Sequence, residues 1–329
     1  MEIQDRTDLC FPHLLNSSCR KPTLHWSEAV LLNSVLLFIS LITVVLNLLI
    51  IISVSHFRQL HTPTNILLLS LGVSDFFVGL LLMPFEIYRF TFCWFLGDAM
   101  CVLFGFFIGA IIICASIWNI VLISVDRYVA ICYPLHYPTR ISLTRVKYCV
   151  CLCWFCASSC SFFYAKDVMV QSGRSKSCIG ECKFIISYIP GTFDLILNFI
   201  LPVTTIIVLY LRVFVVAVSQ GRAMRSHITV ASFHSVTSGT KRSELKAART
   251  LGVLVVVYLM CYCPYYCYSL VGISLTNTPY SFSMFFLCYV NSCLNPVIYA
   301  LFYPWFRKAV KVIVTLQILQ PGSSEVKLL

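Results

Sequence analysis

Charge is scarce in this sequence. Asp, Glu, Lys and Arg make up 11% of its 329 residues, against 59% hydrophobic. That balance excludes an ordinary pair of soluble domains, in which about a quarter of the residues would be charged. Some long stretches have no charge at all: Ala29 to Phe57, Ala99 to Val125, Tyr148 to Ala165, and one continuous run from Thr250 to Phe306. An internal repeat, expected of most secondary transporters, is missing. So is any His-rich spacing inside the apolar blocks, which argues against a catalytic metal there. Residues 1–28 are polar and show no cleavable leader, so the first apolar block is expected to act as a signal anchor.

What is present is a set of membrane spans. A helix needs about 20 apolar residues to cross roughly 30 Å of hydrocarbon. The run from Thr250 holds an Asn277-Thr278-Pro279 breaker and reads as two spans and a short loop. Asn65 to Tyr88 and Phe184 to Leu211 are apolar apart from Asp75, Glu86 and Asp194, and complete seven. The expected fold class is an all-α membrane protein, a seven-transmembrane helix bundle over 29–303 behind an extracellular segment over 1–28.

Orientation follows from the basic residues. With the N-terminus outside, cytoplasmic segments hold 16 of the 24 Lys and Arg and three acids, Asp126, Glu244 and Glu325. This is the positive-inside asymmetry. The net charge of +11 is therefore met by anionic lipid and a cytoplasmic protein, with no need of a nucleic acid. Of 18 cysteines, twelve lie in or beside spans and read as small packing residues. Cys10, Cys19, Cys93, Cys101, Cys178 and Cys182 fall outside, in an oxidising compartment, and predict three disulfides among 15 pairings. Asn16-Ser17-Ser18 is a glycosylation sequon on the same side.

Asp126-Arg127-Tyr128 closes span three and Asn295-Pro296-Val297-Ile298-Tyr299 closes span seven. With Asn47, Asp75, Trp154, Pro202 and Pro264, each in its own span, these resemble the rhodopsin-like G-protein-coupled receptors along nearly the whole chain. Asn291 to Phe306 further resembles the fingerprint of the trace amine-associated receptors. Cys10, Cys19 and Cys178-Ile179-Gly180-Glu181-Cys182 are similar to that family too. The resemblance implies an olfactory receptor for volatile amines in the plasma membrane of an olfactory neuron, coupled to a stimulatory or olfactory G protein and not an enzyme. It implies an amphipathic eighth helix over 304–318 on the inner leaflet, then a cytoplasmic tail over 319–329. Cys101–Cys182 is expected to join span three to the second outer loop, and the family suggests Cys10–Cys178 and Cys19–Cys93. A light receptor would need a Schiff-base lysine in span seven, and Pro279 to Tyr303 has none.

Buried carboxylates point to the chemistry, because a charge at a span centre costs about 2.5–3.5 kcal/mol even on a lenient scale. Asp75 with Ser116, Asn291, Ser292 and Asn295 resembles a sodium pocket; otherwise it is a hydrogen-bonded network without an ion. Asp194 lies on one helical face with Asn198 and Pro202. It calls for a cation, either a ligand amine or Lys166, Lys183 or Arg174 reaching in from the outer loop. Span three lacks the aspartate usual in amine receptors, having Phe107-Ile108-Gly109-Ala110-Ile111 there. Cys101 to Arg127 is one residue longer than the family spacing, so Ile108 or Gly109 takes the missing place. One fish-rich group of the family has lost that aspartate and gained one at the position of Asp194, implying an inverted amine pose. Tyr265, Tyr266, Phe285 and Tyr289 are expected to line the cavity, where aromatic faces attract ammonium groups. Glu86 is either a second anchor, for a diamine, or an interfacial charge with access to water. For switching, the resemblance implies Asp126, Arg127, Tyr128, Tyr210, Asn295, Pro296 and Tyr299, the connector Ile117, Pro202 and Tyr258, and Tyr262 where a tryptophan usually stands.

Overall fold

The computed structural model describes residues 9–14, 17–21, 26–174, 178–182, 187–227, 237–270 and 279–328. Among them, seven helices are long and apolar enough to cross a membrane: Val30–His56, Pro63–Thr91, Gly97–Cys132, Leu143–Val170, Tyr188–Val216, Gly252–Leu270 and Ser283–Phe302. In lipid, each backbone amide must be satisfied inside its own segment, so apolar runs of this length have to be helical. Their ends are set by local chemistry. Thr62 accepts a hydrogen bond from the Asn65 amide at 3.3 Å, with Pro63 at the first helical position. The Ser187 hydroxyl donates to Asp167 at 2.6 Å, tying the start of span five to the outer end of span four.

Polar side chains join the spans in their interior. Asn47 donates to the Ser292 carbonyl at 3.0 Å, Trp154 to the Ser70 hydroxyl at 3.1 Å, and Ser40 to the Gly79 carbonyl at 2.6 Å. A Cβ on Gly79 would come within 3.0 Å of Thr43, so the small residue lets spans one and two approach closely. The cytoplasmic half is filled around Phe57, Leu60, Tyr258, Tyr299 and Phe306, while Leu31, Phe38, Phe155 and Val215 face outward as lipid-facing residues do.

Three spans contain π-helical turns, Val78–Leu82, Leu103–Ile108 and Ile196–Ile200. All three lie in the outer half, where they widen and rotate the helices around a cavity.

The eighth helix is Pro304–Val314, shorter than expected. It buries Trp305, Phe306, Ala309 and Val312 and exposes Arg307, Lys308 and Lys311, an amphipathic arrangement. It stops because the Thr315 hydroxyl bonds back to the Lys311 carbonyl and Leu316 turns left-handed at φ 58°. The tail then folds back beneath span one: the Gln59 side-chain amide donates to the Glu325 carbonyl at 3.0 Å, and Leu328 is buried in the core.

Outside the membrane the disulfides are Cys10–Cys93, Cys19–Cys178 and Cys101–Cys182. Cys101–Cys182 is the expected bridge, whereas the expected Cys10–Cys178 and Cys19–Cys93 exchange partners. The cause is the direction in which the N-terminal segment runs. Ser18 pairs in parallel with Ile179: the Ile179 amide donates to the Ser17 carbonyl and the Cys19 amide to the Ile179 carbonyl. That register sets Cys19 beside Cys178. Trp94 donates to the Gly180 carbonyl, bringing Cys93 to Cys10, and Gly180 is needed there, at φ 113° with Cys10 2.8 Å from where a Cβ would be. The sequon residue Asn16 lies outside the described residues.

Candidate functional site

Asp194 sits on the last α-helical turn of span five before the π turn, facing a cavity lined by spans two to seven and the second outer loop. Asn198, one turn deeper, donates its amide to Asp194 Oδ1 at 2.9 Å, and the Tyr258 hydroxyl donates to the Asn198 carbonyl at 3.2 Å. Among the described residues no cation pairs with Asp194. Lys166 is exposed; Lys183 and the Arg174 side chain lie outside the described residues.

Tyr265, Tyr266, Phe285 and Tyr289 all line this cavity. Tyr265 is 4.9 Å from Tyr266 and 5.2 Å from Phe285, ring centre to ring centre, and Phe199 stacks on Tyr266 at 4.6 Å. Tyr262 also lines it, with its ring 4.8 Å from Tyr258. Asp194 thus faces the cavity with a neutral amide as its hydrogen-bond partner and aromatic faces around it. Such a site favours a compact cation with an apolar body.

Two expectations need correction. Gly109 does not line the cavity. It is buried, and a Cβ there would meet the Phe104 carbonyl at 3.2 Å and Leu82 of span two at 3.6 Å. The additional residue in span three is taken up by the π turn Leu103–Ile108, which rotates the register so that Ala110, Ile113 and Cys114 face inward. Ile108 packs in the apolar cluster between spans two and seven. Glu86 lines the cavity but has no interfacial water access: it is 4% exposed. Arg89, three residues on, donates to Glu86 Oε2 from Nε at 2.9 Å and from Nη2 at 2.6 Å.

Sequence reasoning missed Arg89, Cys114, Tyr164 and Cys288, all of which line the cavity. The i,i+3 spacing to Glu86 was a usable signal for Arg89. The Tyr164 hydroxyl is buried without a hydrogen-bond partner among the described residues, which leaves it able to donate to a bound molecule.

Below the cavity, Asp75 is fully buried. It accepts hydrogen bonds from Ser116 at 3.0 Å, Ser292 at 2.8 Å and Asn295 at 2.8 Å. Asn291 is buried as well; among the described residues neither polar atom of its amide has a partner, and nor does the Tyr299 hydroxyl. Pro296 interrupts span seven beside this cluster.

At the cytoplasmic end Arg127 folds onto Asp126, with Nη2 at 2.5 Å and Nε at 3.0 Å from Oδ2. Thr64 donates to the same carboxylate at 2.8 Å, and Tyr137 donates to Oδ1 at 2.8 Å; Arg127 also donates to the Thr64 hydroxyl. Tyr128 turns its ring toward Tyr133, 5.8 Å away. Tyr210 packs on Gly252, where a Cβ would stand 2.6 Å from the phenol oxygen, so spans five and six are closed against each other. The arginine is neutralised and its cleft shut, a resting arrangement.

Seven spans, a carboxylate cavity open to the outside and a latched arginine at the inner end define a seven-transmembrane receptor. The model of the 7 transmembrane receptor (rhodopsin family) matches residues 46–299. The chain is 38% identical to trace amine-associated receptor 13c of Danio rerio, covering 98% of this chain and 97% of the relative. It is 36% identical to trace amine-associated receptor 6 of Pan troglodytes, over 97% and 95% of the two chains. With trace amine-associated receptor 9 of Rattus norvegicus identity is 35%, over 98% and 97%. The chain belongs to the trace amine-associated receptors of the rhodopsin family: it is a multi-pass membrane receptor of the G-protein-coupled class and not an enzyme.

Proposed function

We propose that this receptor binds a protonated amine through Asp194 and activates a stimulatory G protein from the plasma membrane of an olfactory neuron. The observation that carries the reading is a half-buried carboxylate whose described hydrogen-bond partner, Asn198, is neutral, set in a cavity lined by tyrosines. A carboxylate drawn out of water needs a counter-charge, and an ammonium group is the counter-charge that fits. The names of the relatives support an amine as the ligand class.

Asp75, Ser116, Ser292 and Asn295 supply a sodium site, with Asn291 beside them. A hard monovalent cation takes carboxylate, hydroxyl and amide oxygens, and the unpartnered Asn291 amide is an unmet polar group of that kind. Such an ion would hold spans two, three and seven together in the resting arrangement. The coupling surface is the Arg127 cleft, and Asn16 carries the glycan.

A cyclic-AMP reporter screened against amines, carboxylic acids and neutral odorants tests the reading. A rise with amines alone is the expected result. Responses confined to acids or neutral molecules would overturn it.

A further inference from the structure

Three acids line the cavity, and the two on spans two and five differ in their partners. Asp194 has the neutral Asn198 amide, whereas Glu86 has a guanidinium. Glu86 and Arg89 share a helical face of span two, and their side chains are only 5% and 8% exposed. Arg89 is held by more than Glu86: Nη1 donates to the Cys182 carbonyl at 3.1 Å, and its guanidinium carbon lies 4.2 Å from the centre of the Phe90 ring and 5.9 Å from that of Phe285. The pair is therefore locked to the outer loop through the Cys101–Cys182 bridge. Glu86 Oε1 is left to the Tyr289 hydroxyl at 3.5 Å. Glu181 also borders the cavity, but half-buried in the loop against the Cys19–Cys178 bridge.

We infer that the cavity is selective for ligands with a single positive charge, and that Arg89 sets this selectivity by occupying Glu86, the carboxylate a diamine's second ammonium would need. The inference rests on Asp194 as the amine anchor. With one ammonium on Asp194, a second reaching span two would meet a fixed guanidinium. It would lose its water without gaining a partner and would face a like charge. An apolar or aromatic body would instead rest on Tyr265, Phe285 and Tyr289.

Matched pairs of alkylamine and α,ω-diaminoalkane of equal chain length, assayed with the cyclic-AMP reporter, test this on the unmodified receptor. The diamine is expected to be weaker by about 30-fold or more, the lower end for an unpaired buried charge. Arg89→Gln frees Glu86 and should move the diamine-to-monoamine potency ratio toward the diamine; adding Glu86→Gln should return it. A diamine as potent as its monoamine on the unmodified receptor would overturn the inference. So would Arg89→Gln at the cell surface with an unchanged ratio, or a ratio that stays shifted in the double variant. If Arg89→Gln does not reach the surface, the matched pairs decide alone. Silence to every amine would instead remove the Asp194 reading and this inference with it, whereas equal potency removes this inference only.

Discussion

The Asn198 amide donates to Asp194 across 2.9 Å, one turn deeper on the same helix. An amide orients a carboxylate without neutralising it. Asp194 is thereby held in place, and this keeps the cavity ready for an incoming cation at little reorganisation cost.

The outer bridges give a direct chemical prediction. Peptide mapping without reduction should recover Cys10–Cys93, Cys19–Cys178 and Cys101–Cys182. Each closes a long loop worth ~2–4 kcal/mol. Serine variants of the two halves of one bridge should therefore lose surface expression alike, and the double variant should lose little more. Recovery of a Cys10–Cys178 peptide would refute the pairing.

The inner latch predicts graded basal activity. Asp126→Asn should raise ligand-free signalling, and Arg127→Ala should abolish coupling while sparing ligand binding. Tyr137→Phe removes one hydrogen bond to a charged group, worth about 1.5–3 kcal/mol if nothing replaces it. Burial raises the Tyr137 phenol above the usual tyrosine range, so it remains a donor at neutral pH. Tyr137→Phe should thus raise the ratio of active to resting receptor by roughly ten- to a hundredfold, on the scale of 1.4 kcal/mol per decade. Basal reporter activity at matched surface levels measures this; a silent Tyr137→Phe would show that the latch does not hold the resting state.

The sodium proposal predicts a cation dependence. Replacing external sodium by N-methylglucamine should raise basal signalling of the unmodified receptor. Asp75→Asn should make signalling insensitive to the exchange. Equal responses of both proteins would place no ion at Asp75.

The seven spans were legible because uncharged runs of that length have one structural outcome in lipid. The aromatic wall and Asp194 were legible from residue type and span position. Gly109 was misplaced because counting shows an additional residue but not where the helix absorbs it. The shift to π-type hydrogen bonding at Leu103–Ile108 turned the neighbouring side chains inward instead. The bridges were mispaired because Cys10, Cys19, Cys93 and Cys178 converge on one small region, and the register of Ser18 against Ile179 decides between partners. Of the two readings of Glu86, sequence could not choose, because the choice turns on a side chain that points at Arg89 and away from water.

The most direct test of the central claim is the amine concentration–response of Asp194→Asn at surface expression equal to the unmodified receptor. Asparagine keeps the size and the hydrogen-bonding shape but removes the charge. Losing one partner of a buried ionic pair costs about 2–5 kcal/mol, which is roughly 30-fold to several thousand-fold in affinity. Asp194→Glu, with its carboxylate about one methylene further into the cavity, should retain a response and favour shorter amines. The account predicts that Asp194→Asn loses amine responses by at least the lower figure; an unshifted curve at equal surface expression would contradict it.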